Sequence, residues 1–151
     1  MPLGQLSLKG RALRLLSGRE HSRVELERKL RAHEEEPGQL QRVLDELQAK
    51  GFISDQRVAE SVINRRAAKL GAGRIRQELQ DKGLDAELVL ATVNQLRSTE
   101  LERAAEIWRR KFAAPPQDAA ERGKQTRFLA ARGFGGEVIR RVLAGAVGED
   151  Q

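Results

Sequence analysis

Few side chains in this sequence have reaction chemistry to offer. His21 and His33 lie twelve residues apart on different predicted elements, and the acidic run Glu34 to Glu36 adjoins only His33. No metal-ligand spacing of the HExxH kind results, and both histidines read as surface residues, His33 near a helix C-terminus. Gly71-Ala72-Gly73 lacks the spacing of a phosphate-binding loop and follows no strand, so it reads as a flexible joint between helices. The chain has no cysteine. That removes disulfides, thiolate zinc sites and cysteine nucleophiles and suits a reducing cytosol. These residues give no reason to expect an enzyme, a metal or a cofactor.

Cations are the larger resource. Arg19 and Arg23 follow Lys9, Arg11 and Arg14 near the start, and Arg65, Arg66, Lys69, Arg74 and Arg76 cluster in the middle. Arg109, Arg110 and Lys111 come later, then Arg122, Lys124 and Arg127, then Arg140 with Arg141. Any one of these fits an ordinary solvated helix surface laced with ion pairs. As a set, Arg19, Arg23, Arg65, Arg66, Lys69, Arg74, Arg76, Arg109, Arg110, Lys111, Lys124, Arg127 and Arg140 are the candidates to line a charged groove. The net charge of +6 points to an anionic partner, nucleic acid or an acidic protein surface. The charge is uneven, +5 over residues 1–33 and −3 over residues 34–50.

The elements that must position these cations are helices. With 39% apolar and 33% charged residues, no Tyr, one Trp and four Phe, helix formers outnumber strand formers. An aliphatic anchor at Leu30, Leu79 and Leu129 is followed ten residues later by Leu40, Val89 and Ile139, a repeat with a period of 49 to 50. Lys82-Gly83-Leu84 and Arg132-Gly133-Phe134 end the first helix of the pattern alike, each with a cation, a glycine suited to positive φ and an apolar residue that folds back. Copy one departs at His33-Glu34-Glu35, whereas Lys50-Gly51-Phe52 stops a later helix by the same chemistry. The expected fold is all-α, three tandem three-helix repeats in an elongated, curved array. The repeats span about residues 7–51, 52–97 and 98–147 of a single domain, with a frayed tail at 148–151.

Local signals place the helix starts. Ser22 to Glu25 and Thr99 to Glu102 read as capping boxes, Ser54 and Asp85 as N-caps, and Asp118 as a restart after Pro115-Pro116. Pro37 is expected to open a helix, Glu78 to pair with Lys82, and Arg66 either to snorkel from an apolar face or to border a binding surface. No segment approaches a bilayer span, the N-terminal stretch lacks a signal-peptide core, and no heptad seam is sustained. A cytoplasmic monomer without membrane contact is expected.

With these motifs in place, the sequence resembles the RecX family of recombination regulators. The resemblance is carried by Arg19-Glu20-His21-Ser22-Arg23 with Glu25-Leu26 and Lys29-Leu30, by Gly51 to Ala59, by Gly71 to Leu84 as a GxGRIRxELxxKGL segment, and by Arg132-Gly133-Phe134 with Ile139. Ser54 and Val58 depart from the family's LDDxRFA string, replacing an acidic and an aromatic residue. The resemblance implies binding to the RecA recombinase, mainly as its filament on single-stranded DNA, with ATP hydrolysis, strand exchange, coprotease action and filament growth reduced by occupancy. Weak contact with single- or double-stranded DNA is also expected. The alternative reading is a sequence-independent DNA-binding protein built from helix-turn-helix-like modules, although few side chains are free to read or stack on bases.

Overall fold

The computed structural model describes residues 5–145. The tail expected at 148–151 and the last two residues assigned to the third repeat lie outside them. The described residues form helices in three consecutive sets: α1 Leu8–Gly18, α2 Arg23–Leu30 and α3 Gln39–Ala49; α4 Asp55–Arg66, α5 Ala72–Asp81 and α6 Ala86–Arg97; α7 Glu100–Lys111, α8 Ala119–Ala131 and α9 Gly136–Leu143. Each set closes on its own apolar core. Leu26, Leu30, Leu44 and Leu47 are the centre of the first, Val62, Ile75 and Leu79 of the second, and Ala104, Leu129 and Ile139 of the third. A buried side chain of this kind contributes about 1.5–3 kcal/mol. Units of roughly 50 residues bury too little surface to be robust alone, so the contacts between sets add to the packing within each.

The local devices follow the residue chemistry. Ser22 and Glu25 form the reciprocal capping box, and Ser54, Asp85 and Asp118 each accept a backbone N–H from the first turn of the helix they cap. After α3, α5 and α8, glycines 51, 83 and 133 adopt φ of +83°, +74° and +94°. The next residue then bonds back to the helix, Phe52 to Leu47, Leu84 to Leu79 and Phe134 to Leu129, the paired arrangement that positive φ at the stop permits.

Some expectations are corrected. Pro37 lies outside α3, because Gly38 at φ +85° is the N-cap and the Glu34 carboxylate accepts from Leu40 N. Thr99 forms no capping box: only Ser98 and Thr99 separate α6 from α7, and Thr99 Oγ1 donates back to the Leu96 carbonyl. Glu78 pairs with Arg65 and Arg66 on the preceding helix, leaving Lys82 to Glu25. His21 is buried, with 2% of its surface exposed.

The largest correction concerns Gly71-Ala72-Gly73, which is a tight junction. Gly71 N–H donates to the Arg132 carbonyl at 2.7 Å and Gly73 N–H to the Gly133 carbonyl at 3.0 Å. The N-terminus of α5 therefore abuts the C-terminus of α8. A Cβ on Gly71 would lie 2.6 Å from the Gly133 carbonyl group, so close approach, and not flexibility, accounts for the glycine. One repeat earlier, Ser22 Oγ donates to the Lys82 carbonyl at 2.5 Å and Val24 covers Gly83, so α5 meets α2 in the same way. The middle helices α8, α5 and α2 thus follow one another head to tail, carbonyl end against N–H end, the sense in which helix dipoles attract. The column also explains the odd first copy. Among the described residues the C-terminal end of α2 meets no helix in this way, and it ends in a 3-10 turn over Arg31–His33.

Because φ and space are both constrained at Gly133 but only φ at Gly51, the two positions separate the turn from the junction. Gly51→Ala should cost about 1–2 kcal/mol, the ordinary left-handed penalty. Gly133→Ala should cost about 1–3 kcal/mol more, because its Cβ would lie 2.4 Å from Arg74 N. Equilibrium urea unfolding of the two variants compares them, and equal losses would remove the junction from the account.

Candidate functional site

The charged surface is built around the two junctions. At the first, Glu25 gathers Arg19 at 2.8 Å and Lys82 at 3.2 Å while accepting the Ser22 N–H, and Arg28 donates to the Asp81 carbonyl at 2.5 Å. His21 donates from Nδ1 to the Arg19 carbonyl, and its Nε2 faces Lys29 Nζ at 3.0 Å, where it accepts. Burial, and then the cations Arg19 and Lys29, hold His21 below the ordinary histidine range, so the ring is a neutral part of the fold. Burial alone would raise the Glu25 pKa, but hydrogen bonds from Arg19 and Ser22 and the charge of Lys82 outweigh it and hold the carboxyl at about 2.

The second junction repeats this plan with different residues. Arg74 donates to the Ala131 carbonyl at 2.7 Å, the position equivalent to Asp81. The Glu100 carboxylate, from the first turn of α7, accepts Ala72 N–H at 2.9 Å. Asp55, from the first turn of α4, faces Arg23 N–H in the same way, with Oδ1 buried and unpartnered, and burial raises its pKa. Arg103 closes the contact between the second and third sets by donating to the carbonyls of Ala67 and Leu70 at 2.8 Å each.

The candidate cations fall into three groups. Arg19, Arg23 and Arg74 have internal partners. Arg23 ties α2 to α3 through Gln48, Gln41 and Asp45, with only 23% of its side chain exposed. Arg65 and Arg66 share Glu78, Arg109 and Arg110 share Glu106, and Arg140 pairs with Glu137, all on the surface. Lys69, Arg76, Lys111, Lys124 and Arg127 are exposed and have no carboxylate partner among the described residues. Arg76 lines a depression with Leu84 and Leu90, Lys124 borders the Phe112–Pro115 loop, and Arg127 lies over Gly123.

Lys69, Arg110 and Lys111 come together. With Arg132 they surround a cleft floored by Ile107 and Phe128, where the turn after α4 of the second set faces α7 and α8 of the third. In the sequence Arg132 reads only as the cation of a helix stop, and nothing singles out Phe128. Their participation depends on packing between repeats, which periodicity within one repeat does not reveal.

Among the described residues no three His, Asp or Glu side chains are grouped to hold a metal ion, and no helix is long and apolar enough to cross a membrane. Fold and surface together define a helical-repeat scaffold with cations spread over its surface. Models of the first, second and third three-helix domains of RecX match residues 9–47, 54–92 and 98–143. The chain is 55% identical to the regulatory protein RecX of Leptothrix cholodnii over 92% of this chain and 88% of that one, and 47% identical to that of Ralstonia pickettii over 97% and 92%. The chain belongs to the RecX family of regulatory proteins. A crystal structure of RecX from Lactobacillus salivarius shares the fold, with a TM-score of 0.78 over 91% of this chain and 92% of that one at 20% identity.

The low pKa of Glu25 gives the first junction a pH signature. A carboxyl depressed in the folded state stabilises it above the unfolded value of 4.5, and that contribution is lost as pH falls toward about 2. Glu25→Gln should therefore lower the melting temperature at neutral pH, and its gap to the parent should close between pH 4.5 and about 2. A gap independent of pH would mean that the ionised carboxylate does not hold the junction.

Proposed function

We propose that this chain binds the RecA recombinase, chiefly as the filament on single-stranded DNA, and restrains it by occupancy. ATP hydrolysis, strand exchange, coprotease action and filament growth all fall when it is bound. Membership of the RecX family supports this reading. The observation that carries it is the set of exposed cations without carboxylate partners among the described residues, Lys69 and Lys111 foremost, presented by repeats whose mutual positions are fixed through hydrogen bonds at their junctions. Ion pairs on a surface are worth little to the fold, and a cation left unpaired at a junction between repeats is free for a partner.

Contacts from more than one repeat act together, because binding by one set raises the effective concentration of the next. The protein works in the cytosol as a monomer, without a cofactor, and any direct contact with DNA is weak and sequence-independent. Arg65, Arg66, Lys69, Arg76, Arg109, Arg110, Lys111, Lys124, Arg127 and Arg140 remain the contact candidates. Arg19, Arg23 and Arg74 contribute by holding the array together.

RecA ATP hydrolysis on single-stranded DNA, followed as this protein is titrated in, tests the proposal. Inhibition should appear at protein levels well below RecA and persist when DNA is in excess; inhibition that needs enough protein to coat the DNA would make it a DNA-binding protein. Reversing charge at Arg65 and Lys69 should weaken inhibition by about tenfold while helicity survives. Unchanged inhibition would remove that edge from the contact surface.

A further inference from the structure

We propose that the cleft between the second and third repeats is a receptor for an acidic protein segment that carries an aliphatic side chain flanked by carboxylates. The cleft encloses about 280 Å³. That is the scale of one or two peptide side chains and falls short of the usual pocket for a cofactor. Its rim is cationic, with Lys69, Arg110, Lys111 and Arg132, and its floor is apolar, with Ile107 and Phe128. Among the described residues no carboxylate lines it; Glu106 reaches Arg110 from outside the cleft, and Lys69, Lys111 and Arg132 have no acidic partner.

Arg132 is the most telling member. Its guanidinium lies over the Phe128 ring, 4.5 Å from the centroid, and its Nε is buried without a hydrogen-bond partner. Lys111 Nζ approaches the same ring at 5.8 Å. Like charges gathered over one ring, with no acid to neutralise them, repel one another, and an anion placed among them relieves that repulsion. The apolar floor asks for more than an anion, since a carboxylate alone would leave the half-buried Phe128 uncovered.

The same geometry disfavours a nucleic acid. Base stacking needs a free aromatic face, and Phe128 is already engaged by Arg132, by Lys111 and by Phe112, which meets it at 5.3 Å and 87°. The cations surround one depression and do not form a track for successive phosphates. Because the turn after α4 supplies Lys69, while α7 and the C-terminal end of α8 supply the other groups, the receptor exists only while the second junction holds. The assignment stands whether or not RecA carries the segment.

Fluorescence anisotropy on the full chain tests it without RecA. The probe is a short fluorescein-labelled peptide of alternating glutamate and leucine, compared with a peptide of equal charge in which glycine replaces leucine. The leucine peptide should bind about tenfold more tightly, and Lys69→Glu with Lys111→Glu should abolish the difference. Arg76→Glu, on another depression, should leave binding unchanged. Both variants alter exposed side chains, and circular dichroism confirms their helicity. Equal binding of the two peptides, insensitivity to the lysine reversals, or preferential capture of a fluorescein-labelled oligothymidylate of equal charge would each overturn the assignment.

Discussion

The hydrogen bonds that join the start of one middle helix to the end of the next are what the rest of this structure depends on. A helix leaves its first N–H groups and last C=O groups without internal partners, and burying such ends unpaired is costly. Here the loose ends of neighbouring repeats satisfy one another: Gly71 and Gly73 bond to the carbonyls of Arg132 and Gly133, and Ser22 bonds to that of Lys82. Each such bond contributes about 1 kcal/mol net, so a junction is worth a few kcal/mol, comparable with the margin by which a small domain is stable. Relative placement of the repeats is thereby written in backbone geometry, and surface charge can be spent elsewhere.

The two junctions reach one geometry by different chemistry. Ser22 and Gly71 occupy equivalent positions, yet one uses a hydroxyl and the other a backbone N–H to reach the same carbonyl of the following repeat. Asp55 and Glu100 likewise approach the first N–H of α2 and α5 from the next repeat's opening helix, with side chains of different length. The residues differ between the two junctions, and so does the donor at Ser22 and Gly71, while the accepting carbonyl holds the same place in the repeat. The junctions also use arginines. Arg28, Arg74 and Arg103 each close a gap between repeats with the guanidinium.

Helix-level features were legible because they rest on local rules. The glycine stops at 51, 83 and 133, the capping box at Ser22 and the caps at Ser54, Asp85 and Asp118 all depend on neighbours a few residues away. The errors share a cause of the opposite kind. Gly71 and Gly73 suggest flexibility when their long-range partner is unknown, and Glu78 suggests Lys82 until Arg65 and Arg66 from another helix arrive. His21 looked like a surface residue because nothing local shows the fold closing over it. For the surface, sequence clustering found Lys69, Arg110 and Lys111 but missed Arg132 and Phe128, whose roles arise only where two repeats meet.

The central claim is that the junction bonds make three small cores into one unit. Native-state hydrogen exchange at the Gly71 and Gly73 amides measures this directly. The account predicts that both are protected to the same degree as amides of the cores that flank them, at Leu79 and Leu129, and that all respond together to low concentrations of denaturant. Fast exchange at Gly71 and Gly73 while the cores stay protected would show that the repeats part freely, and would contradict it.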